Sequence, residues 1–299
     1  MVILEKFIGE GSYGQVWRAK HRGRTIALKY LLPEDGTLSL GAIREVSMLQ
    51  HLRPHPRIIR VLFVVEEGDL LAMGLDYHPF TLEKFATQPR HDEVWLRLAF
   101  DLLDAVQYLH DNNVVHRDIK PANILISEDN RAVLCDFSLA RVCVGPGSSE
   151  AMTPDMGCHP YMAPEVLKSG NYHLAADNYS VGVIVGAISK HILDLGGLCD
   201  PDPRTRMTCA KAMEDPAFKG LRRDTASGQE PSQFLTAGLV EQHVARTGAA
   251  RKHVRYLHAK MFDQEYVSYR TVFERPSSAH EYARIEREIF KRLSFNLYN

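Results

Sequence analysis

The chain has 299 residues, 45% hydrophobic and 24% charged, which suits a globular protein of one two-lobed domain or two smaller ones. A formal net charge of −1 excludes a global attraction to nucleic acid or an anionic membrane, so basic groups must act locally. Five cysteines (135, 143, 158, 199 and 209) lack zinc-ligand spacing, and a reducing cytoplasmic or nuclear setting without disulfides is expected. The start, Met1-Val2-Ile3-Leu4-Glu5-Lys6, has no basic n-region or small-residue cleavage site, so no secretory leader is expected. Phe7-Ile8 reads as a strand entering a glycine-rich turn, Val16-Trp17-Arg18-Ala19 as a second strand, His21 to Arg24 as a turn, and Thr25-Ile26-Ala27-Leu28-Lys29 as a third strand. Ile43, Val46 and Leu49 share a helical face, with Ser39 as the start. Residues 61–65 and 70–75 read as strands. From Asp92, Val94, Leu98, Leu102, Val106 and Leu109 recur at helical spacing and mark a long amphipathic helix. Pieces at 124–126 and 133–135 are strand-like, and 144–153 reads as a loop. The longest apolar run, 181–188, is too short to span a bilayer and reads as a buried helix. Residues 219–231 read as a polar linker, and 232–299 as helical, with Ser278 and Glu281 as a capping box and Ile285, Ile289 and Leu293 as a buried stripe. Strands first and helices afterwards predict an α+β fold of two lobes.

Three segments carry chemistry. Gly9-Glu10-Gly11-Ser12-Tyr13-Gly14 fits G-x-G-x-x-G, a weak signal alone because dinucleotide-binding folds share it and a bland turn remains the alternative. A dinucleotide site needs a helix straight after the glycines, whereas a second strand and a hairpin follow here. Ile26-Ala27-Leu28-Lys29 ends in a cation that would lie over a ligand's α- and β-phosphates, held by Glu45; the alternative is a surface lysine and a solvated glutamate. His116-Arg117-Asp118-Ile119-Lys120-Pro121-Ala122-Asn123 then fits H-R-D-x-x-x-x-N at every defined position. A run of this length resembles the catalytic loop of protein kinases, and it leaves a degenerate kinase as the alternative rather than another fold.

The resemblance implies a kinase domain over 1–218, with a strand-rich lobe 1–78 and a helical lobe 79–218. It implies transfer of the γ-phosphate of ATP to serine or threonine hydroxyls of a protein substrate, with Mg2+. Asp118 would be the base, Lys29 and Lys120 phosphate clamps, and Asn123 and Asp136 metal ligands. ATP would meet Ile8, Gly9, Glu10, Gly11, Ser12, Tyr13, Gly14, Val16, Ala27, Leu75, Asp76, His78 and Leu125, with Leu75 as gatekeeper and 76–78 as hinge. Cys135-Asp136-Phe137-Ser138 stands where the family has Asp-Phe-Gly. A serine forced to positive φ would pay on the order of 1 kcal/mol, so a restricted flip with metal binding intact is expected. Ala163-Pro164-Glu165 closes the activation segment, and Arg206 is the expected ion-pair partner of Glu165.

Within the family the chain resembles the cyclin-dependent kinases, through Ala42-Ile43-Arg44-Glu45 and the adjacent Ser12 and Tyr13. Arg44, Arg117 and Arg141 stand where those kinases gather three arginines around a phosphothreonine, here Thr153; unrelated surface arginines are the alternative. The implied setting is cell-cycle or transcription control, with a cyclin as partner. Residues 253–265 and 281–297 resemble part of a cyclin box, with Lys260 and Glu286 as kinase contacts; an ordinary amphipathic tail is the alternative. Cys158 stands for a threonine and Met162 for an arginine of the family, which puts proline-directed specificity in doubt. Asp177 and Asp202 lie 25 positions apart where the family inserts much more chain, so exposed apolar surface is expected unless something covers it. These departures support the rival reading, a catalytically poor module that sequesters cyclins or kinases.

Overall fold

The computed structural model describes residues 2–11, 14–31, 33–34, 37–38, 40–67, 70–143, 150–151, 160–189, 192–223 and 233–235. The chain forms two compact units. Of the described residues, those up to 54, 59–77 and 233–235 belong to the first, and 55–58 and 78–223 to the second. Ser12, Tyr13, Ser39, Thr153, Cys158, Lys260, Ser278, Glu281 and Glu286 lie outside the described residues.

The first unit contains β1 (Val2–Gly11), β2 (Gly14–His21), β3 (Arg24–Leu31), α1 (Leu40–His51), β4 (Val61–Glu67) and β5 (Leu70–Asp76). Its sheet runs β1-β2-β3-β5-β4, each pair antiparallel. The β2–β3 hairpin turns through Arg22 and Gly23, at φ 51 and 80, because a two-residue turn that matches strand twist needs positive φ at both positions. Side chains alternate along β3. Ile26, Leu28 and Tyr30 enter an apolar cluster with Val2, Ala19, Phe63, Val65 and Ala72. The intervening Lys29 points the other way and reaches Glu45 on α1. Gly74 makes the cluster possible, since a Cβ there would lie 2.4 Å from the Phe63 ring.

A sixth strand, Gln233–Leu235, joins the β4 edge in parallel, with Phe234 opposite Val64. It lies in a stretch expected to be helical. The unpaired N–H and C=O groups of a sheet edge offer a short segment a full set of backbone partners, which an isolated helical turn cannot match.

The second unit contains α2 (Asp92–Asp111), β6 (Val114–Val115), β7 (Ile124–Ile126), β8 (Ala132–Leu134), β9 (Arg141–Val142), α3 (Pro164–Ser169), α4 (Leu174–Ile188) and α5 (Cys209–Ala212). Of the expected stripe of α2, Leu98, Leu102, Val106 and Leu109 are buried, while Val94 in the first turn is half-buried. Asp101 on the same helix is buried with its charges answered by Arg131 at 2.8 and 2.9 Å and by the Ala132 N–H at 3.1 Å. Burial still outweighs these partners and raises its carboxyl above the usual range. β9 pairs with β6, and β7 lies between β8 and the two-residue strand Phe80–Thr81.

The run 181–188 is the second half of α4, as expected. The shortened connection after it packs straight back: a Cβ on Gly182 would lie 2.6 Å from Leu198, and Leu198 is fully buried. Among the described residues beyond 160, Leu167 is the only large apolar side chain left exposed, so the bare surface expected from the short spacing does not arise there. Met162 joins an apolar cluster with Val115, Cys143, Val166 and Tyr172, where an arginine would have been out of place. Among the described residues no disulfide forms, and no helix is long and apolar enough to cross a membrane.

Glu165 and Arg206 form the expected ion pair, with two N–H donors of Arg206 at 2.6 and 2.8 Å from the two carboxylate oxygens. Arg206 also lies over the Tyr179 ring, 5.1 Å from its centroid. Burial raises the Glu165 carboxyl, but the Arg206 hydrogen bonds and charge more than offset it, and the group ends below its ordinary value of 4.5. A depressed carboxylate adds stability above the unfolded value, and that stability is lost as pH falls through the folded one. Glu165→Gln should therefore be less stable by about 2 kcal/mol from pH 7 to 5, a gap that closes as pH falls below 4.5. Urea unfolding of both proteins across that range checks it; a gap that persists at low pH would show that shape, not charge, makes the contribution.

Candidate active site

In the first unit, the end of β1 and the start of β2 carry the glycines, with Gly9 opposite Val16, Glu10 opposite Gln15 and Gly11 opposite Gly14. At Gly14 a Cβ would come 1.9 Å from the Tyr30 carbonyl oxygen, so the returning strand rides on the β3 backbone where only hydrogen fits. Val16 pairs with Lys29, and Ala27 pairs with Leu75. Paired residues share a sheet face, so these four line one side, apolar except for a single ammonium. Lys29 donates to Glu45 at 2.5 Å, and their side chains are 11% and 3% exposed, which excludes a surface lysine and a solvated glutamate. Ile8 is exposed. The Asp76 carboxylate accepts from Arg60 at 3.0 and 3.3 Å and from Arg24 at 2.8 Å, which fixes the end of β5. Arg44 is buried beside Glu45 on α1.

In the second unit, β6 delivers the chain to His116. Asp177, in the first turn of α4, accepts the backbone N–H groups of His116 at 2.7 Å and Arg117 at 3.0 Å. Arg117 sits at φ 73, a conformation a non-glycine residue keeps only when its surroundings impose it. Tyr172 donates its hydroxyl to the Arg117 carbonyl at 3.0 Å, and the guanidinium lies over that same ring. Burial pushes the Tyr172 phenol far above its ordinary value, so it stays a donor at any working pH. The His116 Nε2 meets the Cys135 carbonyl at 3.0 Å, and its ring packs edge-to-face on Phe137 with centroids 4.8 Å apart. Cys135 in turn donates its N–H to the Asn123 carbonyl at 2.9 Å.

These bonds bring together Asp118, Lys120 and Asn123. Lys120 Nζ donates to Asp118 Oδ2 at 2.8 Å; Asn123 Nδ2 donates to the same oxygen at 2.8 Å and to the Asp118 carbonyl at 2.9 Å. Asn123 thereby spends its amide N–H groups on Asp118 and keeps a carbonyl oxygen as acceptor. Asp136, at φ 62, follows Cys135. An amide oxygen and a carboxylate are hard oxygen donors. Mg2+ is held by one or two such groups together with phosphate oxygens and waters, so the residues fit that ion. Leu125 is half-buried on β7; Arg117 and Arg141 are buried, not surface arginines.

Two features escaped the sequence. Ser138 is not among the residues at positive φ; that conformation falls on Asp136 instead, so the expected strain at serine is absent. The anchoring role of Asp177 and Tyr172 also went unseen. One signal of it is an acidic residue opening a long apolar helix, where the helix dipole favours a carboxylate.

A family model described as protein kinase domain matches residues 2–193. A probable CTD kinase subunit alpha homolog of Encephalitozoon cuniculi is 36% identical over 183 residues, covering 60% of this chain and 54% of the relative. The serine/threonine-protein kinase KIN28 of Saccharomyces cerevisiae is 34% identical over 210 residues, covering 66% of each. Cyclin-dependent kinase-like 2 of Oryctolagus cuniculus is 32% identical over 186 residues, covering 60% of this chain and 32% of the relative. The chain thus spans from a third to two thirds of the length of these curated relatives. The family match ends before the stretch read as a partial cyclin box, which has no support from it.

Proposed function

The chain belongs to the protein kinase family, and from that premise we propose that it transfers the γ-phosphoryl group of ATP to serine or threonine hydroxyls of proteins. The observation that carries this reading is the cluster of Lys120 and Asn123 on the Asp118 carboxylate. Asp118 takes the proton of the substrate hydroxyl as its oxygen attacks; the bond from phosphorus to the β–γ bridging oxygen breaks, and ADP leaves with that electron pair. Lys120 neutralises charge on the transferring group, and Lys29, steadied by Glu45, holds the α- and β-phosphates. Asn123 and Asp136 would hold magnesium, which would supply positive charge to the nucleotide's phosphates. Likeness to a cyclin-dependent kinase-like protein supports regulation of that kind: a cyclin-type partner near Arg44, inhibitory modification at Ser12 and Tyr13, and a phosphate on Thr153 answered by Arg44, Arg117 and Arg141.

Purified protein should move phosphate from Mg2+–ATP to a generic serine/threonine substrate, with and without added cyclin. Lys29→Met should lower kcat/KM about a hundredfold or more. A folded wild type that binds ATP yet transfers nothing under either condition would replace this reading with that of a binding module.

A further inference from the structure

The serine that replaces the family's glycine after Phe137 makes a contact glycine cannot. Ser138 is 2% exposed, and its hydroxyl donates to Asp136 Oδ1 at 2.6 Å. Its backbone N–H leans on the same oxygen at 3.4 Å. Phe137 between them is fully buried, with its ring against His116. Asp136 itself sits at φ 62. The serine is therefore a fixed donor, aimed from a buried position at a carboxylate whose backbone is already constrained.

We propose that Ser138 is a positioning residue for the divalent cation: its hydroxyl presets the Asp136 carboxylate, so that Mg2+–nucleotide binds more tightly than it would beside glycine. The inference rests on the reading of Asp136 as a metal ligand. An aspartate has two side-chain torsions to lose when it binds a cation, and a short charge-assisted hydrogen bond removes most of that freedom beforehand. Both bonds from residue 138 fall on Oδ1, so they leave the acceptor positions of Oδ2 unspent. The same bond ties residue 138 to residue 136 and opposes rotation of the segment between them.

The test titrates Mn2+, followed by its electron paramagnetic resonance signal, into wild type, Ser138→Gly and Ser138→Ala with a non-hydrolysable ATP analogue. Metal-free analogue affinity and thermal stability are measured alongside, and Asp136→Asn is the control. Both serine variants should weaken Mn2+ binding about fivefold and leave metal-free analogue affinity unchanged. A purely structural serine would lower melting temperature or move both affinities together, and either pattern without a metal-specific loss overturns the proposal. So does tighter Mn2+ binding in the variants, which would mean that the hydroxyl competes with the cation. Loss in Asp136→Asn without loss in the serine variants overturns the positioning role alone. No loss in Asp136→Asn overturns the ligand reading beneath it.

Discussion

Asp118→Asn should lower kcat by about a thousandfold while leaving the ATP KM and the melting temperature nearly unchanged. Asparagine has the shape of aspartate, and its carbonyl oxygen can still accept from Lys120 and Asn123, which now donate to Asp118 Oδ2 at 2.8 Å each. The loop therefore keeps its geometry. An amide cannot take the proton of an attacking hydroxyl, so the loss falls on the chemical step. Steady-state kinetics with ATP and a peptide substrate separate the two effects. A variant that keeps a tenth of wild-type kcat would show that Asp118 orients the nucleophile without accepting its proton. One whose KM rises while kcat holds would move the residue into nucleotide binding.

Asp177→Ala should destabilise the second unit by about 3 kcal/mol and abolish activity although it touches no reacting atom. The Asp177 side chain is 1% exposed and accepts two backbone N–H groups, from His116 at 2.7 Å and Arg117 at 3.0 Å. It also lies 3.4 Å from the His110 ring. Alanine would strand both donors in the interior and release Arg117 from φ 73 toward ordinary backbone. Asp118 would then lose its bearing. Asp177→Asn keeps one acceptor oxygen and should cost about half as much. Urea unfolding, with midpoint and slope recorded together, measures both. A loss below about 0.5 kcal/mol for the alanine variant would assign the loop's conformation to Tyr172 and the sheet instead.

What the sequence made legible was either contiguous or tied to a recognisable element. Asp118, Lys120 and Asn123 lie within six positions of one another, so their grouping could be read as a string. Lys29 and Glu45 were legible because a strand and a helix carry each at the expected place. Asp177 stands sixty-one positions from His116, and nothing local records which backbone groups it meets. Ser138 misled for a different reason. The family's glycine invites an explanation by φ, whereas the strained position is Asp136 and the serine's consequence is a hydrogen bond. The strand Gln233–Leu235 is too short to show any period, and only the open β4 edge makes it a strand.

That strand also orders events during synthesis. Its partner on β4 leaves the ribosome about 170 residues earlier, and at 5–20 residues per second the interval is roughly ten to thirty seconds. The five antiparallel strands of the nascent first unit can close within that time, but β4 remains a templating edge until residue 235 emerges. Chains released early, before residue 233, would keep residues 116–123 but leave the β4 edge permanently unpaired. Such fragments should recruit one another into aggregates more readily than chains that carry the strand.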